Sequence, residues 1–392
     1  MIDFGIPLKP SQGLACGEYE HRFRGLYVLG KTRTGKSSFL TNLAKNEFDH
    51  PLIVLDPAGG LAESIAALAP KDRLTYVTKN NPLCVNPLSR GNLSRSEIAN
   101  EFSQAVDACV SSVTTSPETS TLMQRLICEV IYVLDQDQMN VKYVSDFLEY
   151  KAVRDTHDWH GDKPDFWVSF DLKDRFVWEE KERRDSAKRV SNRLSAFYRD
   201  EIVRPFVVGP CEFDVWDIIQ NRKIVVFNLY GLDRLATVFL GNLITFAVMS
   251  YYEHHAHKGD PPLFLYIDEF HKFLTKFVDF SQYGKYNLSL NIAHQNHEQL
   301  SKEMVSNILG NCDTLAVFKC GYAEAERMAK EFQIKPEDFL NLKEYQCWIK
   351  IIDSNHLIQT FAPPEVSKFE PELRSPKPGE PYYLKEDCWF GA

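Results

Sequence analysis

The chain contains no C-x-x-C pair, and its nine cysteines, an odd number, are scattered from Cys16 to Cys388. That spacing argues against a zinc site or a disulfide framework and fits reduced thiols packing as small apolar residues in a cytosol. An excess of positive charge is missing as well. With 45 Lys and Arg against 54 Asp and Glu, the formal net charge is −9, which argues against a basic coat gripping nucleic acid everywhere while leaving a local basic lining open. The start, Met1-Ile2-Asp3-Phe4-Gly5-Ile6-Pro7, has no basic residues followed by an apolar run, so no signal peptide is expected. There is no internal repeat and no low-complexity block. One stretch, Leu235 to Tyr252, is uncharged for 18 residues, close to the length of a membrane span. Thr237, Gly241, Asn242, Thr245 and Ser250 interrupt it, and strand-like segments flank it, so it reads as a buried crossover helix. The expectation is a cytoplasmic protein without a membrane span.

What is present is 392 residues of ordinary globular composition, 44% hydrophobic and 25% charged, enough for roughly two to three domains. Gly30-Lys31-Thr32-Arg33-Thr34-Gly35-Lys36-Ser37 fits the phosphate-cradling pattern G-x-x-x-x-G-K-[ST]. An apolar run, Leu26 to Leu29, precedes it and a helical pattern from Ser37 to Ala44 follows, the strand-loop-helix context that the motif requires. Gly30 and Gly35 permit a backbone whose N–H groups converge on a phosphate at the positive end of the helix. Residues 30–37 with Ser38 are the expected nucleotide-binding set. Lys36 is expected on the β- and γ-phosphates and Ser37 on Mg²⁺, so ATP and Mg²⁺ are the expected cofactors.

In chain order, residues 1–20 form a lead-in rich in turn formers that is expected to dock on the core. Leu52 to Leu55 is a second buried strand, followed by Asp56-Pro57-Ala58-Gly59-Gly60 and a helix from Leu61 to Leu68, and Leu74 to Val77 is a third strand. From Ser94 to Phe206 helical periodicity takes over, at Ile98–Val113, Thr119–Leu134, Val141–Tyr150 and Ala187–Tyr198. The part from Lys173 to Arg204 holds ten basic and seven acidic side chains, which reads either as a solvated, salt-bridged helix or as a DNA-facing surface. Strands return at 223–229, 263–267, 288–293, 314–318, 347–352 and 357–361, with a crossover helix over 232–257. The alternation predicts an α/β fold: a mostly parallel central sheet, split into 21–93 and 207–362, with an all-α subdomain inserted over 94–206. Residues 363–392 read as a proline-rich C-terminal arm lying on its own or a neighbouring subunit.

The strand from Leu263 to Ile267 ends in Asp268-Glu269, delivering two acids to the sheet edge where ligands bind in open α/β folds. Asp268 is expected to hold Mg²⁺ and Glu269 to polarise the water attacking the γ-phosphate. Gln295, just past the strand 288–293, is expected to orient that water. Lys36, Glu269 and Gln295 form the expected catalytic set. His254, His255 and His257 read as the polar end of the long helix and not as a metal site, since no carboxylate or thiol lies at ligand spacing.

The set GKTRTGKS, LIVLDPAGG, VNPL, KIVVFNL, LFLYIDEF, LSLNIAHQ and NILGNCDTLAVF resembles, in order and spacing, the HerA/FtsK superfamily of RecA-like motors. Within that superfamily its order and spacing are similar to those of the conjugative coupling proteins, which also insert a helical domain between their second-strand region and the acidic motif. The resemblance spans about residues 20–360. It implies a RecA-like P-loop ATPase that self-associates, usually as a hexameric ring, hydrolyses ATP between subunits and pumps double- or single-stranded DNA. The relatives' Asp-Pro-His-Gly-Asp is here Asp56-Pro57-Ala58-Gly59-Gly60, so any role of that histidine or second acid is lost. The trans-acting finger is left to Lys285, Lys319 or Arg327. The transmembrane helices of secretion-type relatives and the barrel of HerA find no counterpart, which implies a bare motor module. The rival reading is a nucleotide-gated assembly or defence-complex protein that contacts partner proteins through the helical insertion or the C-terminal arm.

Overall fold

The structure is a computed structural model that describes residues 2–8, 16, 17, 19–86, 88, 93–111, 118–135, 138–164, 166, 167, 170, 178–257, 259–273 and 284–365. In chain order its strands are β1 (Ile2–Asp3), β2 (Ile6–Pro7), β3 (Cys16–Gly17), β4 (Leu26–Leu29), β5 (Leu52–Asp56), β6 (Leu74–Val77), β7 (Ile224–Asn228), β8 (Leu263–Ile267), β9 (Leu288–His294), β10 (Thr314–Phe318), β11 (Gln346–Ile351) and β12 (Ser354–Gln359). The helices are α1 (Lys36–Asn46), α2 (Gly60–Leu68), α3 (Arg95–Ser111), α4 (Glu118–Val133), α5 (Val141–Glu149), α6 (Lys151–Asp155), α7 (Trp178–Arg199), α8 (Arg204–Val207), α9 (Val215–Gln220), α10 (Arg234–His254), α11 (Lys302–Asn311), α12 (Tyr322–Phe332) and α13 (Pro336–Leu340).

Ten strands share one sheet in the order β2-β12-β11-β10-β4-β9-β8-β5-β7-β6. From β10 to β6 every pairing is parallel, and β11, β12 and β2 extend the sheet antiparallel. The α/β class and the mostly parallel sheet are as the sequence predicts. Strands β4, β5, β7, β8, β9 and β10 are buried at every position. That is the mark of a sheet covered on both faces, and it explains why these segments read as unbroken apolar runs. Along β4, Leu26 and Val28 pack into one core with Phe39 and Leu40 of α1 and Leu61 of α2, whereas Tyr27 and Leu29 face a second, larger core.

That second core is continuous from the sheet into the helices between β6 and β7. Helix α3 packs on α10, the rings of Phe197 and Phe239 stack with centroids 4.1 Å apart, and fully buried Trp167 lies edge-on to Phe147 at 5.0 Å. Helix α10 carries the uncharged run. It is 89% buried over its most apolar window, a core crossover between β7 and β8, so its apolar character answers to packing.

Several boundaries differ from the sequence reading. Helix α7 begins at Trp178 and not at Ala187, because its first turns are charge-rich and show no apolar periodicity. The last strand starts at Ser354 and ends at Gln359, since polar Ser354 and Asn355 pair across a tight hairpin with Ile351 and Lys350. The lead-in docks through β2, with Ile6 and Pro7 paired to Gln359 and Ile358 at the sheet edge, where a proline is tolerated. The C-terminal arm beyond Glu365, and Lys173 to Val177 of the charge-rich stretch, lie outside the described residues.

Candidate active site

Four neighbouring parallel strands, β4, β9, β8 and β5, end on one edge of the sheet. The phosphate-type loop follows β4, Gln295 follows β9, Asp268 and Glu269 follow β8, and Asp56 closes β5. Pairing of Leu29 with His294, Ile267 with Ile292, and Leu55 with Ile267 sets their register. Adjacent strands are about 4.8 Å apart, so these residues come within one ligand's reach.

The loop is held by its backbone. The Gly30 N–H donates to the His294 carbonyl at 3.4 Å, the Lys31 N–H to the Lys319 carbonyl at 2.9 Å, and the Tyr345 N–H to the Thr34 carbonyl at 2.9 Å. Gly35 precedes α1 at φ 109°, a region that favours glycine. A Cβ there would lie 2.9 Å from the Tyr345 ring, and one on Gly30 would lie 2.6 Å from the Phe318 Cβ. Lys31, Thr32, Arg33 and Ser37 are exposed and Ser38 is half-buried. Thr34 is buried, its hydroxyl donating to the Lys31 carbonyl at 2.8 Å. Lys36 is buried, and its Nζ donates to the carbonyls of Gly30 at 2.6 Å and Lys31 at 3.0 Å. Burial lowers the Lys36 ammonium from its ordinary value, opposed by the nearby charges of Asp268 and Glu269.

Asp268 and Glu269 are both buried. The Glu269 N–H donates to Asp268 Oδ1 at 2.9 Å, and Glu269 itself takes a left-handed φ of 46°, a conformation uncommon outside glycine that marks constrained functional turns. Burial, with the charges of Asp56 and Glu269, pushes Asp268 up to about 7 against the pull of Lys36. The Gln295 amide donates to Glu269 Oε1, and His271 Nδ1 lies 3.5 Å from Glu269 Oε2. Lys36, Asp268, Glu269 and Gln295 therefore form one cluster in contact or in mutual electrostatic reach.

The finger candidates scatter. Lys319 is exposed at the end of β10, beside its own loop. Arg327 is exposed on α12. Lys285 is exposed in the short turn before β9, at the opposite edge of the sheet. Among the described residues no group of three His, Cys, Asp or Glu side chains is placed to hold a metal alone.

Several solved structures share this architecture. The unbound form of the bacterial conjugative coupling protein TrwBdeltaN70 superposes with a TM-score of 0.71 over 89% of this chain and 87% of its own, at 13% identity. VirB4 of Thermoanaerobacter pseudethanolicus gives 0.65 over 93% and 96%, at 14% identity. The chain has the coupling-protein fold. TrwB in complex with ADP and Mg²⁺ matches with a TM-score of 0.69 over 90% of this chain and 88% of its own, at 14% identity. No family profile and no curated protein sequence matches the chain.

Within this fold, the roles of four residues escaped the sequence reading. Asp56 is fully buried; its carboxylate accepts the N–H groups of Ala58 at 2.7 Å and Ala62 at 3.0 Å, capping α2 while adding charge beside Asp268. Gly241 and Asn242 of α10 hold the turn after Glu269. The Asn242 amide donates to the Phe273 carbonyl at 2.5 Å, and a Cβ on Gly241 would lie 2.0 Å from the Phe273 ring. The signal was available: two polar or small residues interrupt an otherwise apolar run. Tyr345, at φ 60°, backs Gly35 from a turn before β11, and no local pattern announces it.

Proposed function

We propose that the chain is an ATP-hydrolysing motor that assembles as a ring, hexameric as the family resemblance implies, and moves DNA. The observation that carries this reading is the meeting of Lys36, Asp268, Glu269 and Gln295 at the ends of adjoining parallel strands, in a fold shared with a coupling protein solved with ADP and Mg²⁺. Backbone N–H groups of residues 30–37 at the start of α1 suit a polyphosphate. Mg²⁺ takes hard oxygen donors and is commonly held by one or two carboxylates together with substrate phosphates. The Ser37 hydroxyl and the Asp268 carboxylate would supply that donor set, and Asp268 and Glu269 near Lys36, with Asp56 beside Asp268, leave negative charge for a cation to offset. When bound, Mg²⁺ would neutralise charge developing on the phosphates.

The chain's own residues do the rest. Lys36 orients the terminal phosphates, Glu269 accepts the proton of the attacking water, and Gln295, bonded to Glu269, orients that water. Of the finger candidates, Lys319 sits beside its own loop and is suited to act in cis, whereas Lys285 and Arg327 are exposed elsewhere and are free to reach a neighbouring subunit. The net charge of −9 favours the rival, a nucleotide-gated assembly protein acting on protein partners. Steady-state ATP turnover with and without double- and single-stranded DNA separates the two. Turnover stimulated by one DNA form and abolished in Lys36→Ala is expected; ATP binding without turnover on any DNA overturns the motor reading.

A further inference from the structure

Directly behind Gln295 a line of buried polar side chains crosses a core that is otherwise apolar. His294 ends β9, Tyr27 lies in β4, His297 lies in the short turn after Gln295, and Glu324 stands in the first turn of α12. The Tyr27 hydroxyl is 3.2 Å from His294 Nδ1 and 2.9 Å from His297 Nε2. His297 Nδ1 bonds Glu324 Oε2, and Glu324 Oε1 accepts the His297 backbone N–H at 3.0 Å. One proton arrangement satisfies every link: His294 Nδ1–H donates to the Tyr27 oxygen, Tyr27 O–H to His297 Nε2, and His297 Nδ1–H to ionised Glu324. Burial foremost, with the His271 and Lys36 groups nearby and against a backbone hydrogen bond at Asn296 that pulls the other way, leaves His294 at about 2, hence neutral. Burial disfavours the Glu324 charge, but its hydrogen bonds to the His297 ring and backbone N–H, with the nearby Arg327 charge, outweigh it and hold the carboxyl below its usual range.

Four polar side chains buried in such a core stabilise nothing that apolar packing would not, unless they fix a geometry. The geometry they fix is the peptide carrying Gln295, gripped one residue before and two after. The line also continues into the site: Phe270 packs edge-on to His294 at 5.0 Å, His271 tilts against it at 6.3 Å, and His271 approaches Glu269. At its far end it reaches α12, whose outer face exposes Tyr322 and Arg327. We propose that Tyr27, His297 and Glu324 are positioning residues that clamp the Gln295 loop and transmit the nucleotide state of Gln295 and Glu269 to α12. This rests on the assignment of Gln295 and Glu269 to the attacking water.

The test is hydrogen–deuterium exchange of residues 322–332, with and without Mg²⁺ and a non-hydrolysable ATP analogue, in the wild type, Tyr27→Phe and Glu324→Gln, alongside ATP turnover. Nucleotide should slow wild-type exchange in this helix about threefold, and Tyr27→Phe, which keeps the ring and its packing, should lose that response with nucleotide affinity unchanged within about twofold. Turnover should fall about tenfold in kcat with KM unchanged, and Tyr27→Phe combined with Gln295→Ala should be no slower than Gln295→Ala alone. Helix exchange that ignores nucleotide in the wild type, a full response in both variants, or losses that add to that of Gln295→Ala would overturn the inference. A wild type without turnover would overturn the assignment of Gln295 and Glu269 instead, and the exchange response still decides the network.

Discussion

Replacing Asp268 with Asn should stabilise the nucleotide-free protein while removing its turnover. Asp268 is 6% exposed. Burial foremost, then the charges of Asp56 and Glu269, raise its carboxyl from 3.8 to about 7. With the folded value above the unfolded one, the folded state binds more protons between these limits. Stability therefore declines as pH rises from about 4 to about 7 and is level above that. About three pH units at 1.36 kcal/mol each put the penalty at about 4 kcal/mol at pH 8 and about 1.6 kcal/mol at pH 5. Asn keeps an oxygen to accept the Glu269 N–H, bonded at 2.9 Å in the wild type, so the substitution removes charge and little else. At roughly 2.1 cal/mol/K of unfolding entropy per residue, Tm should rise by about 5 °C at pH 8 and about 2 °C at pH 5. Calorimetric melts in EDTA across that range measure both. A Tm that falls or stays unchanged at pH 8, or a gain that does not shrink toward pH 5, would refute the reasoning.

Three further outcomes follow from the packing. Arg22, bonded to Glu47 at 2.6 Å and to the Tyr266 hydroxyl at 2.9 Å, is fully buried; Arg22→Met should cost about 3–5 kcal/mol in a urea melt by stranding the Glu47 carboxylate. Gly241→Ala pushes a methyl against the Phe273 ring, and should cost about 1–3 kcal/mol and lower kcat through the displaced turn after Glu269, as melts and turnover read together will show. Gly35→Ala, at φ 109° and tight against Tyr345, should weaken ATP binding at least about tenfold by equilibrium titration.

Strands β4, β5, β7, β8, β9 and β10 were legible because burial on both faces makes each an apolar run, and the loops that end β4, β8 and β9 carry residue types tied to phosphate chemistry; β2, two residues long at the sheet edge, offers no period to read. The start of α7 was not, since its first turns follow charge and not periodicity. The Tyr27-to-Glu324 line was invisible for another reason. Its members sit in four different elements, and only the parallel register of β4 against β9 brings Tyr27 beside His294. Gly241 and Asn242 stand out in the sequence as breaks in an apolar run, yet their purpose, holding the Phe273 turn, depends on how α10 lies against the loop after β8. Tyr345 stands at the loop because β11 pairs with β10, a non-local fact.

The central claim is that ATP turnover at these strand ends moves DNA, and displacement of streptavidin from the end of biotinylated DNA tests it most directly. ATP-dependent displacement from one DNA form by the wild type is expected, with Glu269→Gln retaining ATP but slowed at least about a hundredfold. Wild-type protein that turns over ATP on DNA yet displaces no block from either form would contradict it.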